Sequence, residues 1–478
     1  MDIAEYTRLD GLNLAEAIAQ GDLSATEAAT LARTAADNVN DSLNAVVAFL
    51  NQPVSGKPAE GACFGGVPTF QKDLGAGFAG QKQESGSRVA QGQVAPVTAY
   101  FSQRMLDAGL QVLGRTTCPE FGLTMTTESV ATGITRNPWN TEHITGGSSG
   151  GSAALVAAGV VPLAHTNDGG GSTRIPASIC GNVGLKTSRG RVSLGPILND
   201  VSMPLIAEGC NSRTVRDTAA FLDAVCRPAP GEATFCATEG SFLQGLSLAP
   251  KKYRIAVSLD DWGNAPMDPV VRSELERIAN SLRQCGHKVE EASPSSVHGD
   301  EAEESFQIMW CALAHLTVTA SAMMTGNMPG PDTLEPITLQ MYEAGASITA
   351  LEYALALSGA NNISRDFATF FQDWDLILTP TLNKGTPEVG SAITLSSDLK
   401  LDDWFSAATA IVPHTPVANM TGIPAISVPC SIGPGNLPLG MQFMAPMGGE
   451  AALLDIAQQL EESEPWIGRK PSVFASGT

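Results

Sequence analysis

Two glycine-rich runs, Thr145-Gly-Gly-Ser-Ser-Gly-Gly-Ser152 and Asn167-Asp-Gly-Gly-Gly-Ser-Thr-Arg174, constrain this chain more than any other stretch. Glycines at that density adopt backbone angles closed to other residues and let main-chain N–H groups approach a ligand closely. Two backbone-lined loops are therefore expected. Flexible tethers are a poor alternative, because alanine-rich and apolar segments press against both runs and would be wasted beside disorder. A phosphate-binding loop fits no better: the first run lacks the Lys-Ser/Thr ending of a P-loop and the spacing of a dinucleotide fingerprint. Residues 147–151 also fit G-x-S-x-G, a nucleophile elbow with Ser149 as nucleophile. Its histidine would be His165, His287, His298, His315 or His414, none of them marked by local context.

Composition narrows the setting. With 43% hydrophobic and 16% charged residues, the chain has material for a core and too little charge for a disordered protein. The balance of 28 Lys and Arg against 49 Asp and Glu, a net charge of −21, repels phosphate backbones and anionic membranes. Neither nucleic acid nor membrane is expected as a direct partner. The nine cysteines are scattered without a C-x-x-C pair, so a reducing compartment and no structural metal are expected. The opening MDIAEYTRLD is no signal peptide, and the apolar run 153–164 is broken by Gly159 and Pro162. A soluble, cytoplasmic protein is the expectation.

Along the chain, Ser24-Ala-Thr-Glu27 has capping-box form ahead of Ala28, Leu31, Ala32 and Ala35, which predicts a helix. Residues 97–106, Gly109 and 110–113 read as helix, cap and strand. The alternation recurs, with a helix at 153–158, a strand at 160–164, a helix at 271–283 and strands at 288–290, 376–378, 425–428 and 441–443. A final amphipathic helix is read at 450–460. An α/β fold follows. The stretches 227–250 and 292–304 turn Pro/Gly/Ser-rich or acidic and read as surface excursions. Because strands flank them on both sides, one sheet is expected to draw on both halves of the chain.

Several segments fit together in order. Gly65-Gly-Val-Pro-Thr-Phe-Gln-Lys72-Asp-Leu, Asn137-Pro-Trp-Asn140, Gly146-Gly-Ser148-Ser-Gly-Gly-Ser152 and Asp168-Gly-Gly-Gly-Ser172-Thr-Arg-Ile-Pro-Ala177 resemble the signature of the amidase signature family. Pro119-Glu-Phe-Gly122, Gly184-Leu-Lys186, Thr379-Pro-Thr381, 421–428 and 440–443 are similar to further family landmarks, and the span from about 225 to 370 matches least. The resemblance implies an α/β/α layered fold, a mixed twisted central sheet covered by helices on both faces. It implies one amidase domain over residues 1–478, with a helical insertion or substrate-pocket region at about 227–370.

It also implies a Ser–cis-Ser–Lys triad, carried here by Ser172, Ser148 and Lys72, with a cis Gly147–Ser148 peptide. Taken singly, Lys72 reads as a surface lysine, Ser148 as a turn residue and Ser172 as a helix N-cap. Together their chemistry is coherent. A serine hydroxyl needs a base, and an ammonium cannot be one, so Lys72 must be neutral. Burial among Val67, Phe70 and the Gly/Ser loops would lower its pKa. A proton would then pass from Ser172 to Ser148 to Lys72.

By resemblance the backbone amides of Gly169, Gly170, Gly171 and Ser172 form the oxyanion hole. Many relatives have threonine where Gly169 stands, which suggests a more mobile first amide here. Asp168 and Arg174 read as a pair that fixes this loop. Trp310 and Cys311, within a helix-like stretch that also holds Met309, His315, Met323 and Met324, are candidates for a pocket wall. No metal and no organic cofactor is required, and the expected partner is a small amide; a homodimer is left open. Within the family the wording is most similar to bacterial hydrolases of the aminohexanoate cyclic dimer. The rival readings are a glutamine-hydrolysing amidotransferase subunit and an inactive scaffold that keeps the fold.

Overall fold

A computed structural model of the protein describes residues 1–237, 240–298 and 300–477. Residues 238, 239 and 299, inside the two stretches read as surface excursions, lie outside the described residues. The main sheet has eight strands in the order Lys288–Glu291, Arg254–Val257, Leu376–Pro380, Pro438–Met444, Ala425–Ile432, Val183–Lys186, Ala207–Ser212 and Leu163–Asp168. The first three run parallel and the remaining pairings are antiparallel, so the sheet is mixed. A three-stranded sheet of Val46–Val54, Gln111–Thr116 and Pro68–Lys72 stands beside its far edge. There Thr69 Oγ1 donates to the main-chain oxygen of Leu163 at 2.9 Å.

Side chains of a strand alternate between faces, and each face here finds its own helices. Ile255, Val257, Leu376 and Leu378 pack with Val215–Val225, Pro269–Gln284 and Glu450–Ser463. Ala256 and Ile377 instead join the core of Glu301–Thr325, Pro336–Ser347 and Ala350–Phe370. The fold is α/β with helices on both faces. The weakly matched span is not wholly helical: Arg254–Val257 and Lys288–Glu291 are sheet strands, and only the part from Glu301 onward is a helical layer. Its first helix, Glu301–Thr325, is long and apolar enough to cross a membrane by length and composition, and Met309, Trp310, Cys311, Ala314 and Val318 bury its inner side.

The Ser24–Glu27 capping box is present at the start of helix Ala25–Leu43. The strand read at 160–164 runs instead over Leu163–Asp168. Its polar residues His165, Thr166 and Asn167 are buried, and a search for apolar runs misses such a strand.

Candidate active site

Three segments converge where the two sheets meet. Lys72 ends the strand Pro68–Lys72, Asp168 ends the strand Leu163–Asp168, and Ser148 and Ser149 lead into helix Gly150–Ala157. The peptide Gly147–Ser148 is cis, as the resemblance implies. Lys72 is 0% exposed, which removes the reading of a surface lysine. Its Nζ lies 2.7 Å from Ser148 Oγ and 2.5 Å from Asn167 Oδ1.

These partners leave the amine able to donate to one oxygen and to accept from the other. Asn167 Nδ2 donates to the carbonyl of Leu74 at 3.2 Å, which fixes the amide so that its oxygen faces Lys72. Asn167 Oδ1 can only accept, and so takes one N–H of the amine. A neutral amine offers its lone pair to the Ser148 hydroxyl and an ammonium would instead donate to Ser148 Oγ; either form leaves one N–H without a partner among the described residues. Burial moves the amine toward the neutral form: desolvation pulls the Lys72 pKa down to about 8, against the opposing influence of Cys118, Glu208 and Asp168, so the neutral amine becomes the major form above that pH. Lys186 is also fully buried and pulled down to about 7, first by burial and then by the charge of Arg174. Its Nζ, however, donates to the carbonyl of Thr187 and meets no serine.

His165 serves as a strut. Its Nδ1 accepts the backbone N–H of Lys72 at 3.2 Å, so Nε2 carries the proton and donates to Glu208 Oε2 at 2.7 Å. Glu208 Oε1 accepts from the N–H of Ala76, tying the turn after Lys72 to the strand Ala207–Ser212. The nucleophile elbow finds no support, since Ser149 Oγ donates to the carbonyl of Asn167 and pairs with no histidine. Asn167 and Glu208 were not singled out by the sequence reading. The signal available for Asn167 was its place directly before Asp168 in the second glycine-rich run.

Ser172 stands 6% exposed beside the helix Arg174–Cys180, whose N-cap is Thr173, so the reading of Ser172 as a cap falls away. Its Oγ makes no hydrogen bond among the described residues. It lines, together with Ser148 and Asn167, a cavity of about 240 Å³. A second cavity, of about 120 Å³, is also lined by Ser172, here with Gly147 and Gly170.

The loop before Ser172 is braced from below. Asp168 Oδ1 accepts the N–H of Gly171 at 2.7 Å and Oδ2 that of Thr173 at 3.1 Å. Arg174 grips both oxygens of the same carboxylate through Nε and Nη2 at 3.0 Å each. Its remaining donors reach Gln442 and Asn419. Burial would raise the pKa of Asp168, but the guanidinium of Arg174 and the Asn419 amide outweigh it and hold the carboxyl well below the usual range. Thr415 Oγ1 fixes the carbonyl of Gly170 at 2.7 Å.

This bracing corrects the expected oxyanion hole: the Gly171 amide is consumed by Asp168, leaving those of Gly169, Gly170 and Ser172 without an acceptor among the described residues. Gly171 itself has φ +131°, and a Cβ there would lie 2.4 Å from Thr415 Oγ1. At Gly169 the room of the missing side chain is occupied. Ile206 and the Trp310 ring fill that room, within 2.9 and 3.1 Å of where a Cβ would stand.

Trp310 lines both cavities, as expected of a pocket wall, whereas Cys311 lines neither. One helical step of 100° turns Cys311 into the contact with helix Pro336–Ser347, where its carbonyl leaves no space for a side chain at Gly345. No group of His, Cys, Asp and Glu among the described residues is arranged to hold a metal ion.

The family model described as Amidase matches residues 29–454. The chain belongs to the amidase family. It is 35% identical over 484 residues to the 6-aminohexanoate-cyclic-dimer hydrolase of Paenarthrobacter ureafaciens, covering 97% of each chain. The solved structure of a 6-aminohexanoate cyclic dimer hydrolase complexed with substrate superposes with a TM-score of 0.91 at 32% identity, covering 98% of this chain and 99% of the other. A bacterial aryl acylamidase of the amidase signature family shares the fold at a TM-score of 0.84, 23% identity, and 96% and 99% coverage. This amidase is an amidohydrolase acting on carbon–nitrogen bonds.

Proposed function

We propose that this amidase hydrolyses a small linear or cyclic amide, 6-aminohexanoate cyclic dimer or a relative of it, through an acyl-enzyme on Ser172. The observation that carries this reading is the buried amine of Lys72 placed 2.7 Å from Ser148 Oγ. Lys72 takes the proton of Ser148 as Ser148 takes that of Ser172, and Ser172 Oγ forms a bond to the carbonyl carbon. The N–H groups of Gly169, Gly170 and Ser172 receive the oxyanion. The proton returns through Ser148 to the leaving nitrogen, the C–N bond breaks, and water releases the acyl group by the same steps in reverse.

The test is hydrolysis of linear and cyclic amides, esters and glutamine by the purified protein, with Ser172→Ala as blank. Amide turnover and labelling by a fluorophosphonate probe should both vanish in the blank. Turnover of glutamine alone would favour the amidotransferase reading, and absence of both signals in the native protein the inactive scaffold.

The pH dependence has a definite sign. The base works only when neutral, so kcat/KM should rise about tenfold per pH unit up to about 8 and then level off. A rate that is flat between pH 6 and 8 would exclude a neutral-lysine base.

A further inference from the structure

Ser148 stands on one side of Ser172, and the leaving nitrogen must lie on that side to receive its proton. The cavity that holds Ser148 and Asn167 therefore takes the amine, and the cavity that shares Ser172 but not Ser148 takes the acyl group. That acyl chamber is walled by Trp262, Phe306, Trp310, Trp404, Phe405 and aliphatic residues, and Glu303 is the one charged residue in its lining. Glu303 Oε1 accepts from Gln307 Nε2 at 3.1 Å and Thr409 Oγ1 at 3.2 Å. Neither partner is a cation, no ion pair within the described residues includes Glu303, and its Oε2 makes no hydrogen bond.

We propose that the acyl chamber selects acyl groups ending in a positive charge, with Glu303 as the residue that recognises it. This rests on the reading of Ser172 as the nucleophile. A cation in the chamber would meet this carboxylate directly, and the aromatic rings add attraction of their own. The helix supplies the length. Glu303, Phe306, Gln307 and Trp310 share one face of Glu301–Thr325, and seven residues at 1.5 Å each put Glu303 about 10 Å from Trp310. Trp310 lies against Gly169, so Glu303 stands about two helical turns along the chamber from the loop that carries Ser172. An extended chain of about eight bonds covers that span.

The decisive pair is 8-aminooctanoyl p-nitroanilide and nonanoyl p-nitroanilide, equal in shape and different in one charge. A chamber that was merely apolar would prefer the methyl end. The native protein should prefer the ammonium end by tenfold or more in kcat/KM, mainly through KM. Glu303→Gln should reverse that preference, chiefly by raising KM for the aminooctanoyl substrate. An unchanged ratio in Glu303→Gln, or a native preference for the methyl end, overturns the role of Glu303 and leaves Ser172 untouched. Cleavage of neither anilide overturns the Ser172 reading and this proposal with it.

Discussion

Lys72→Ala should lower kcat by about 10⁴ or more, with the protein still folded by circular dichroism. The size follows from what the amine does. Ser148 can accept the proton of Ser172 only by losing its own, and Lys72 is its sole basic neighbour. Lys186, the other buried lysine with a lowered pKa, is committed to the carbonyl of Thr187 and cannot substitute. Lys72→Met separates chemistry from packing, because it keeps most of the volume in a site that is 0% exposed. It should be as inactive as the alanine variant and melt closer to the native protein, losing chiefly the hydrogen bond to Asn167. No histidine substitution should mimic it in kind. His165→Gln would loosen the strand that carries Lys72, and His414, pushed down to about 3 by burial, has its Nε2 occupied by Asn383. If a histidine variant abolished turnover and Lys72→Ala did not, the proton path through Ser148 would be wrong.

Much of this site was legible as residue types in a linear order, and much less as geometry. The glycine-rich wording identified both loops because such backbones have few other uses. Lys72 was more ambiguous: in isolation a lysine after Val67-Pro-Thr-Phe-Gln71 is most often on the surface. Only the sheet edge, with Leu163–Asp168 lying alongside, makes that strand wholly buried. Asn167 escaped notice because its role depends on side-chain placement: a hydrogen bond to Leu74 decides which end of the amide faces the lysine. The Gly171 amide was assigned to the oxyanion hole on wording alone, and wording cannot say that Asp168 turns back to claim it. Cys311 failed for a related reason. Helix Glu301–Thr325 is apolar on nearly every side, so periodicity does not distinguish the face on the cavity from the face on its neighbour helices.

Asp168→Asn should be the most destabilising single change at the loop, costing about 3–5 kcal/mol, because it leaves the guanidinium of Arg174 buried without its counter-ion. Gln442 and Asn419 would remain as neutral acceptors, and they do not compensate a full charge. The pH dependence follows in sign. Since the folded state holds the Asp168 carboxyl below its ordinary pKa, its contribution is fully present above about pH 4 and is lost as pH falls toward the depressed value. The native protein should therefore lose stability in acid where the asparagine variant, already lacking the charge, loses less from this source. Denaturant unfolding at pH 7 and at about pH 2 measures both effects. Activity should fall as well, by about 10²–10³, because the same carboxylate anchors the N–H groups of Gly171 and Thr173, and slack there misplaces the free amides on either side. The double change Asp168→Leu with Arg174→Met separates the two effects. By removing both charges it should regain part of the stability lost in Asp168→Asn and none of the activity, since the loop stays unanchored. Recovery of turnover along with stability would mean that the pair matters to this amidase only as part of its core.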